Sequence, residues 1–278
     1  MRSTQEMLLR RFNRIQRLFH LFLVISFLVQ TGTGFGRLFI TTDFGRSLVW
    51  LFGGYDTAVV IHFWVGVLMI AGFAAHILYL VTRIDRGDLR NSLLGPDSLV
   101  PWVQDARHLI QKILWTVRLG PPPELDRWAY WEKFDYWAVF WGLPLLAATG
   151  IMLRFPLLTT HFLPGWALNI AALLHRAEAI LAASYIFIVH FFIGHLRPFS
   201  FPMNEAMFSG CVHLEELIKE KPMWVERLKK EGKLEQMKAR PPSRWYRLLY
   251  YAFGYTALGF GLYILINGIV YGRYIQLH

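Results

Sequence analysis

The chain has 278 residues, 55% of them hydrophobic, 16% aromatic and only 17% charged, with a mean hydropathy of +0.34. That balance excludes an ordinary soluble domain of this length and points to one integral membrane bundle. The net charge of +10 does not point to nucleic acid, because the basic residues gather beside apolar stretches; the single cysteine, Cys211, excludes an internal disulfide and any cysteine-based metal site.

Five apolar stretches are long enough to cross a bilayer as helices. The first covers about 18–38 and follows Arg10, Arg11, Arg14 and Arg17. No small-residue cleavage site follows a short apolar core, so it is expected to be a retained span rather than a signal peptide. Its far end is weak, where Thr31, Gly32, Thr33, Gly34 and Gly36 crowd together. The second covers about 57–81. The third covers about 136–153 and carries Pro144, which is expected to kink it. The fourth covers about 170–194 and the fifth about 248–270.

Lys and Arg concentrate in the N-terminus, in 83–133 and in 197–247, and are scarce in 39–56 and 155–169. The positive-inside rule then sets the N-terminus in the cytoplasm and His278 outside. Within the second loop, Val103, Leu109, Ile110, Ile113, Leu114 and Val117 recur at helical spacing among charges. This predicts an amphipathic helix at the membrane interface, ended by Pro121, Pro122 and Pro123. The segment Glu215–Lys238 is charged and is expected to be a solvated helix outside any core. The expected division is a four-helix core over 1–198, a basic cytoplasmic segment over 199–245, and a fifth span with an outer tail over 246–278.

Histidines carry the chemistry. His62 and His76 lie 14 residues apart on the second span, and His175 and His190 lie 15 apart on the fourth. Each pair spans about 21–23 Å of helix and stays within roughly 60° of one face. Both spans run from outside to inside, so His62 matches His175 near the outer surface and His76 matches His190 near the inner one. One intramembrane imidazole is often a hydrogen-bond donor between helices. Four at a repeated spacing favour axial ligands to two stacked haems b. Four histidines at two levels cannot surround a single zinc ion. His20, near the cytoplasmic start of the first span, is an alternative partner for His190, and His195 is a weaker candidate. A third haem is left open. His108, His161, His213 and His278 fall in loops or tails.

Gly32, Gly34, Gly36, Gly66, Gly72, Gly142 and Gly150 remove side chains from helix surfaces, either for a flat porphyrin or for ordinary helix packing. Arg37, Arg154 and Arg176 lie near outer span ends and suit haem propionates or interfacial snorkelling. Glu178, one turn from His175, is a costly intramembrane carboxyl expected to bond a ligand imidazole, pair with an arginine or relay a proton.

The run Arg17-Leu18-Phe19-His20 with Thr31-Gly32, then His62 with Gly66, then Lys133-Phe134 through Thr149-Gly150 and Arg154-Phe155-Pro156, and lastly His175 to His190, resembles the membrane cytochrome b subunits of formate dehydrogenases and nickel–iron hydrogenases. The likeness covers about residues 10–198. It implies an outer haem held by His62 and His175, and an inner one held by His20 and His190. His76 departs from that pattern and resembles instead the cytochrome b of bc-type quinol complexes, where the second and fourth spans hold both haems. The fifth span and the basic segment are further departures. Arg197-Pro198 and Phe201-Pro202-Met203-Asn204 resemble cytochrome b subunits of anaerobic respiratory complexes.

The resemblance implies an all-α membrane bundle of a bacterial or archaeal inner membrane. It would pass electrons between the quinone pool and an extracytoplasmic subunit bearing c-type haems or iron–sulfur clusters. With no CxxCH motif and one cysteine, that subunit must be another chain. Two other readings use the same residues: a non-haem membrane anchor of a complex, and a proton channel or transporter built on the histidines and Glu178.

Overall fold

The computed structural model describes residues 7–196, 200–201 and 203–274. His278 and the Arg197-Pro198 and Pro202 positions of the resemblance lie outside them. The chain folds as an all-α membrane bundle with five helices long and apolar enough to cross a bilayer. These are α1 (Arg14–Leu38), α3 (Tyr55–Arg83), α6 (Tyr130–Arg154), a fourth span over Trp166–Leu196 that begins as α8 (Trp166–Ser184), and α12 (Arg244–Tyr271). Each includes one predicted span and extends it by a few residues, because flanking arginines and aromatics continue the helix into the interface. Short helices α2 (Asp43–Leu51) and α7 (Pro156–Phe162) fill the two loops poor in lysine and arginine. The remaining loops hold α4 (Leu89–Leu94), α5 (Val103–Thr116), α9 (Ala206–Ser209), α10 (Leu214–Glu220) and α11 (Pro222–Lys230).

By residue contacts the chain divides into two compact units. The first holds 18–76, 140–203 and 248–278. Its core is Phe35, Phe39, Phe44, Leu48, Ala183, Phe187, Phe191 and Ile264. The glycine-crowded end of α1 stays helical to Leu38, because neighbours press on it: a Cβ at Gly32 would meet the Phe52 ring at 2.7 Å, and one at Gly36 would meet Leu48 and Val49 near 3.2 Å. Gly53 and Gly54, with φ of +82° and +101°, make the left-handed turn that returns the chain from α2 into α3. On α3, Val60, Trp64, Leu68 and Leu78 are each more than half exposed, as expected of side chains that face lipid rather than protein. α6 remains helical through Pro144.

After Ser184 the fourth span changes winding. Tyr185–His190 and Phe192–Leu196 are π-helical. A π turn advances each residue by less than the roughly 100° of an α-helix, so it resets the angle between His175 and His190. Nothing in the hydrophobic spacing announces this.

The second unit holds 1–17, 77–139 and 204–247. A small antiparallel sheet orders its strands β2-β1-β3: β1 (Leu8–Arg10) pairs with β2 (Cys211–His213), Leu9 opposite Val212, and with β3 (Lys238–Ala239). The expectation that 215–238 lies outside any core is corrected here. Leu214, Leu217, Trp224, Val225 and Leu228 are buried with Leu9, Phe12, Ala206 and Val212. Few apolar residues in the segment itself are enough, because Leu9 of β1, Phe12, Ala206 of α9 and Val212 of β2 supply the others. Lys221 is fully buried with its Nζ 2.6 Å from Glu132, which also receives Arg11 at 2.7 Å. Arg227 bridges Asp97 and Asp126 at 2.9 and 2.7 Å. Pairing makes these buried charges tolerable.

Candidate functional site

Two imidazole pairs stand within the first unit. The His62 and His175 ring centroids are 6.3 Å apart, with planes at 71°. His20 and His190 are 6.4 Å apart, at 40°. A metal ion bound about 2 Å from each of two imidazole nitrogens holds the ring centres about 6.3 Å apart. Both pairs therefore have a ring separation compatible with a shared metal ion, as do His190 and His195 at 6.5 Å.

The outer pair is oriented by two matching devices. Thr33 on α1 lies 2.9 Å from His62 Nδ1, and Thr149 on α6 lies 2.9 Å from His175 Nδ1. Each threonine hydroxyl also donates one turn back along its own helix, to Val29 O and to Leu145 O, both at 2.7 Å. A hydroxyl carries one proton. With that proton given to the carbonyl, each Oγ1 accepts from the histidine, so Nδ1 bears the hydrogen and Nε2 keeps its lone pair for a metal. The next residue in each helix is a glycine. A Cβ at Gly34 would stand 3.2 Å from His62 Cε1, and one at Gly150 would stand 3.3 Å from His175 Cε1. The Thr-Gly pair thus supplies both the acceptor and the room for the ring beside it. Sequence reasoning missed Thr33 and gave Thr149 no role; the signal available was the Thr-Gly dipeptide recurring in the first and third spans.

At the inner level it is His20 that the structure sets against His190. The expected His76–His190 match gives way: His76 meets Phe19 at 4.8 Å and Phe140 at 6.2 Å. The π winding between His175 and His190 turns His190 away from the angle that a uniform α-helix would give it. His195 stands edge-on to His190 at 6.5 Å and to Phe191 at 6.1 Å. Among the described residues no three His, Cys, Asp or Glu side chains converge as a metal cage.

The other expected gaps are filled by protein. Gly66 receives Gln30, Gly72 receives the Phe22 ring, and Gly142 receives the Glu178 carboxyl, whose Oε1 a Cβ would meet at 2.8 Å. These glycines serve close helix packing rather than an open porphyrin slot. Glu178 is buried and accepts from the Trp141 side chain. It is not the Nδ1 partner of His175, since Thr149 holds that position. Arg37 is exposed and within electrostatic reach of both His62 and His175. Arg154 lies over the Phe63 ring at 5.2 Å. Arg176, next to His175, is half-buried.

A search of curated proteins found no match to the chain. Residues 11–210 match the prokaryotic cytochrome b561 family, a stretch that takes in the first four spans, three of which bear the candidate histidines, and stops short of α12. The chain belongs to that family, whose members are membrane electron-transfer proteins that bind haem b.

Proposed function

We propose that this chain holds two haems b, one between His62 and His175 and one between His20 and His190, and passes electrons along the bundle between the quinone pool and an extracytoplasmic redox partner. The carrying observation is the two ring separations of 6.3 and 6.4 Å. The levels are at most about 22 Å apart, from the 15 residues separating His175 and His190 at no more than ~1.5 Å each, since the last turn is π-wound. Haem supplies a reversible one-electron iron couple, and two imidazole ligands leave no open position for oxygen.

The chain's own residues prepare that chemistry. Thr33 and Thr149 fix the imidazole tautomer and ring angle and make Nε2 a stronger donor. Phe187 and Phe191, buried beside the His190 turn, keep water from that level. Arg37, Arg154 and Arg176 are placed to meet propionates at the outer level. A quinone or quinol docks at the inner level, beside His190 and His195. The lysine and arginine distribution supports an N-terminus on the cytoplasmic side of a bacterial or archaeal inner membrane. The partner, with c-type haems or iron–sulfur clusters, docks on the opposite side. Its separate identity follows from Cys211 being the single cysteine.

Ligand substitution tests the pairing. His62→Ala and His20→Ala, each purified and assayed as pyridine haemochrome, are expected to lose one haem apiece and different ones by potential. Retention of both haems in either variant refutes that pair. Absence of haem from the unsubstituted chain supports the anchor reading instead.

A further inference from the structure

Helix α5 is folded inside out for a water-soluble element. Its exposed face is apolar: Val103, Ile110, Ile113 and Val117 are 57%, 57%, 55% and 57% exposed. The opposite face is polar and turned inward. Asp105 binds Lys133 Nζ at 2.9 Å with its side chain only 12% exposed, and His108 is buried with its ring nitrogen 3.1 Å from Gln104. A helix settled against a water-soluble core does the reverse.

Its mounting shows what covers that face. The strap leading into α5 is fastened to the membrane-crossing helix α6. Trp137 Nε1 donates to Leu99 O at 2.9 Å, and Lys133 Nζ donates to Val100 O at 3.4 Å and to Asp105. Phe134, on the same stretch of α6, is 62% exposed. The polar face of α5 and the strap before it are therefore tied to a membrane span that is itself apolar and exposed at Phe134. Lys112 folds its ammonium over the Trp115 ring at 3.8 Å, and Arg107 at the edge of the apolar face is exposed. Cations and an indole flanking an apolar stripe suit a headgroup boundary.

We propose that α5 is a membrane-seated helix whose Val103–Ile110–Ile113–Val117 face lies among phospholipid acyl chains of the leaflet on the N-terminal side. It is held there by the Lys133 and Trp137 fastenings rather than by a protein partner.

Site-directed spin labelling of the full chain tests this. In a Cys211→Ser background, a nitroxide is attached to Ile110→Cys or Ile113→Cys, with Glu215→Cys, on an exposed turn of α10, as the water-side control. Each protein is reconstituted in phosphatidylethanolamine–phosphatidylglycerol vesicles. The expected result is ready relaxation by oxygen and strong protection from a water-soluble nickel chelate at 110 and 113, with the opposite at 215. Nickel access at 110 and 113 equal to that at 215 overturns the proposal. So does protection accompanied by spin–spin broadening between copies, which assigns the face to a second copy of the chain. Haem content does not enter the readout, so the result is independent of the redox reading.

Discussion

Replacing Thr149 with valine removes one oxygen and keeps the shape. In the structure that oxygen accepts from His175 Nδ1 at 2.9 Å and passes its own proton to Leu145 O. Without it, the His175 N–H keeps only the Leu146 backbone carbonyl as acceptor, and the net loss of one hydrogen bond costs about 0.5–1.5 kcal/mol. The cost falls unequally on the two iron states. A histidine that donates from Nδ1 is a stronger ligand at Nε2 and favours the oxidised iron. Loss of the bond therefore raises the midpoint potential of the haem held by His175. If a third to two thirds of that energy is differential, the rise is about 10–40 mV, since a one-electron couple moves ~59 mV per ~1.4 kcal/mol. Redox titration of the b-type α-band in purified protein measures it. One of two components should move up and the other stay, and Thr149→Ser should restore the original value. Two unmoved midpoints, or a serine variant that behaves like valine, refute the reasoning.

His76→Ala is expected to retain both haems, because His76 is set against Phe19 and Phe140 while His20 is set against His190; haemochrome assay decides it. Gly261→Ala puts a Cβ 2.7 Å from both the Phe187 and Phe191 rings, an overpacking of roughly 1–3 kcal/mol. It should lower Tm and broaden the spectrum of the haem held by His190 while sparing the one held by His175. Glu132→Gln leaves buried Lys221 and Arg11 without their shared carboxylate and should cost about 3–5 kcal/mol, read by thermal unfolding in detergent. Burial alone would raise the Asp97 carboxyl, but hydrogen bonds and charge from Arg227 and Arg127 outweigh it and hold the group below its ordinary 3.8. Its folded value thus lies under its unfolded one, so its contribution is present above the ordinary value and is lost as pH falls through the folded one. Asp97→Asn should accordingly flatten the loss of Tm on acidification below about pH 4.

The spans were legible because a bilayer demands about 20 apolar residues at a time, and all five predicted stretches form helices long and apolar enough to cross. The histidine levels were legible for the same reason: rise per residue is nearly constant. Rotation about the helix axis was not. The facing of His190 depends on a π winding, and that winding is packed by Phe187 and Phe191 against Gly261, a residue seventy positions later in another helix. Thr33 and Thr149 were hidden because threonine within a span ordinarily satisfies itself on its own backbone; only the neighbouring helix shows that the same oxygen serves an imidazole. The buried part of 204–247 was hidden too. Its core is assembled from a strand at Leu8–Arg10 and helices after Leu214, and its most buried charges, Lys221 and Arg227, read in sequence as ordinary surface residues.

The most direct test is the haem-to-polypeptide ratio of the purified chain, with its electron paramagnetic resonance spectrum. The account predicts two haems b per chain, both low-spin with two imidazole ligands. A ratio of one or none, or a high-spin five-coordinate iron at either level, contradicts it.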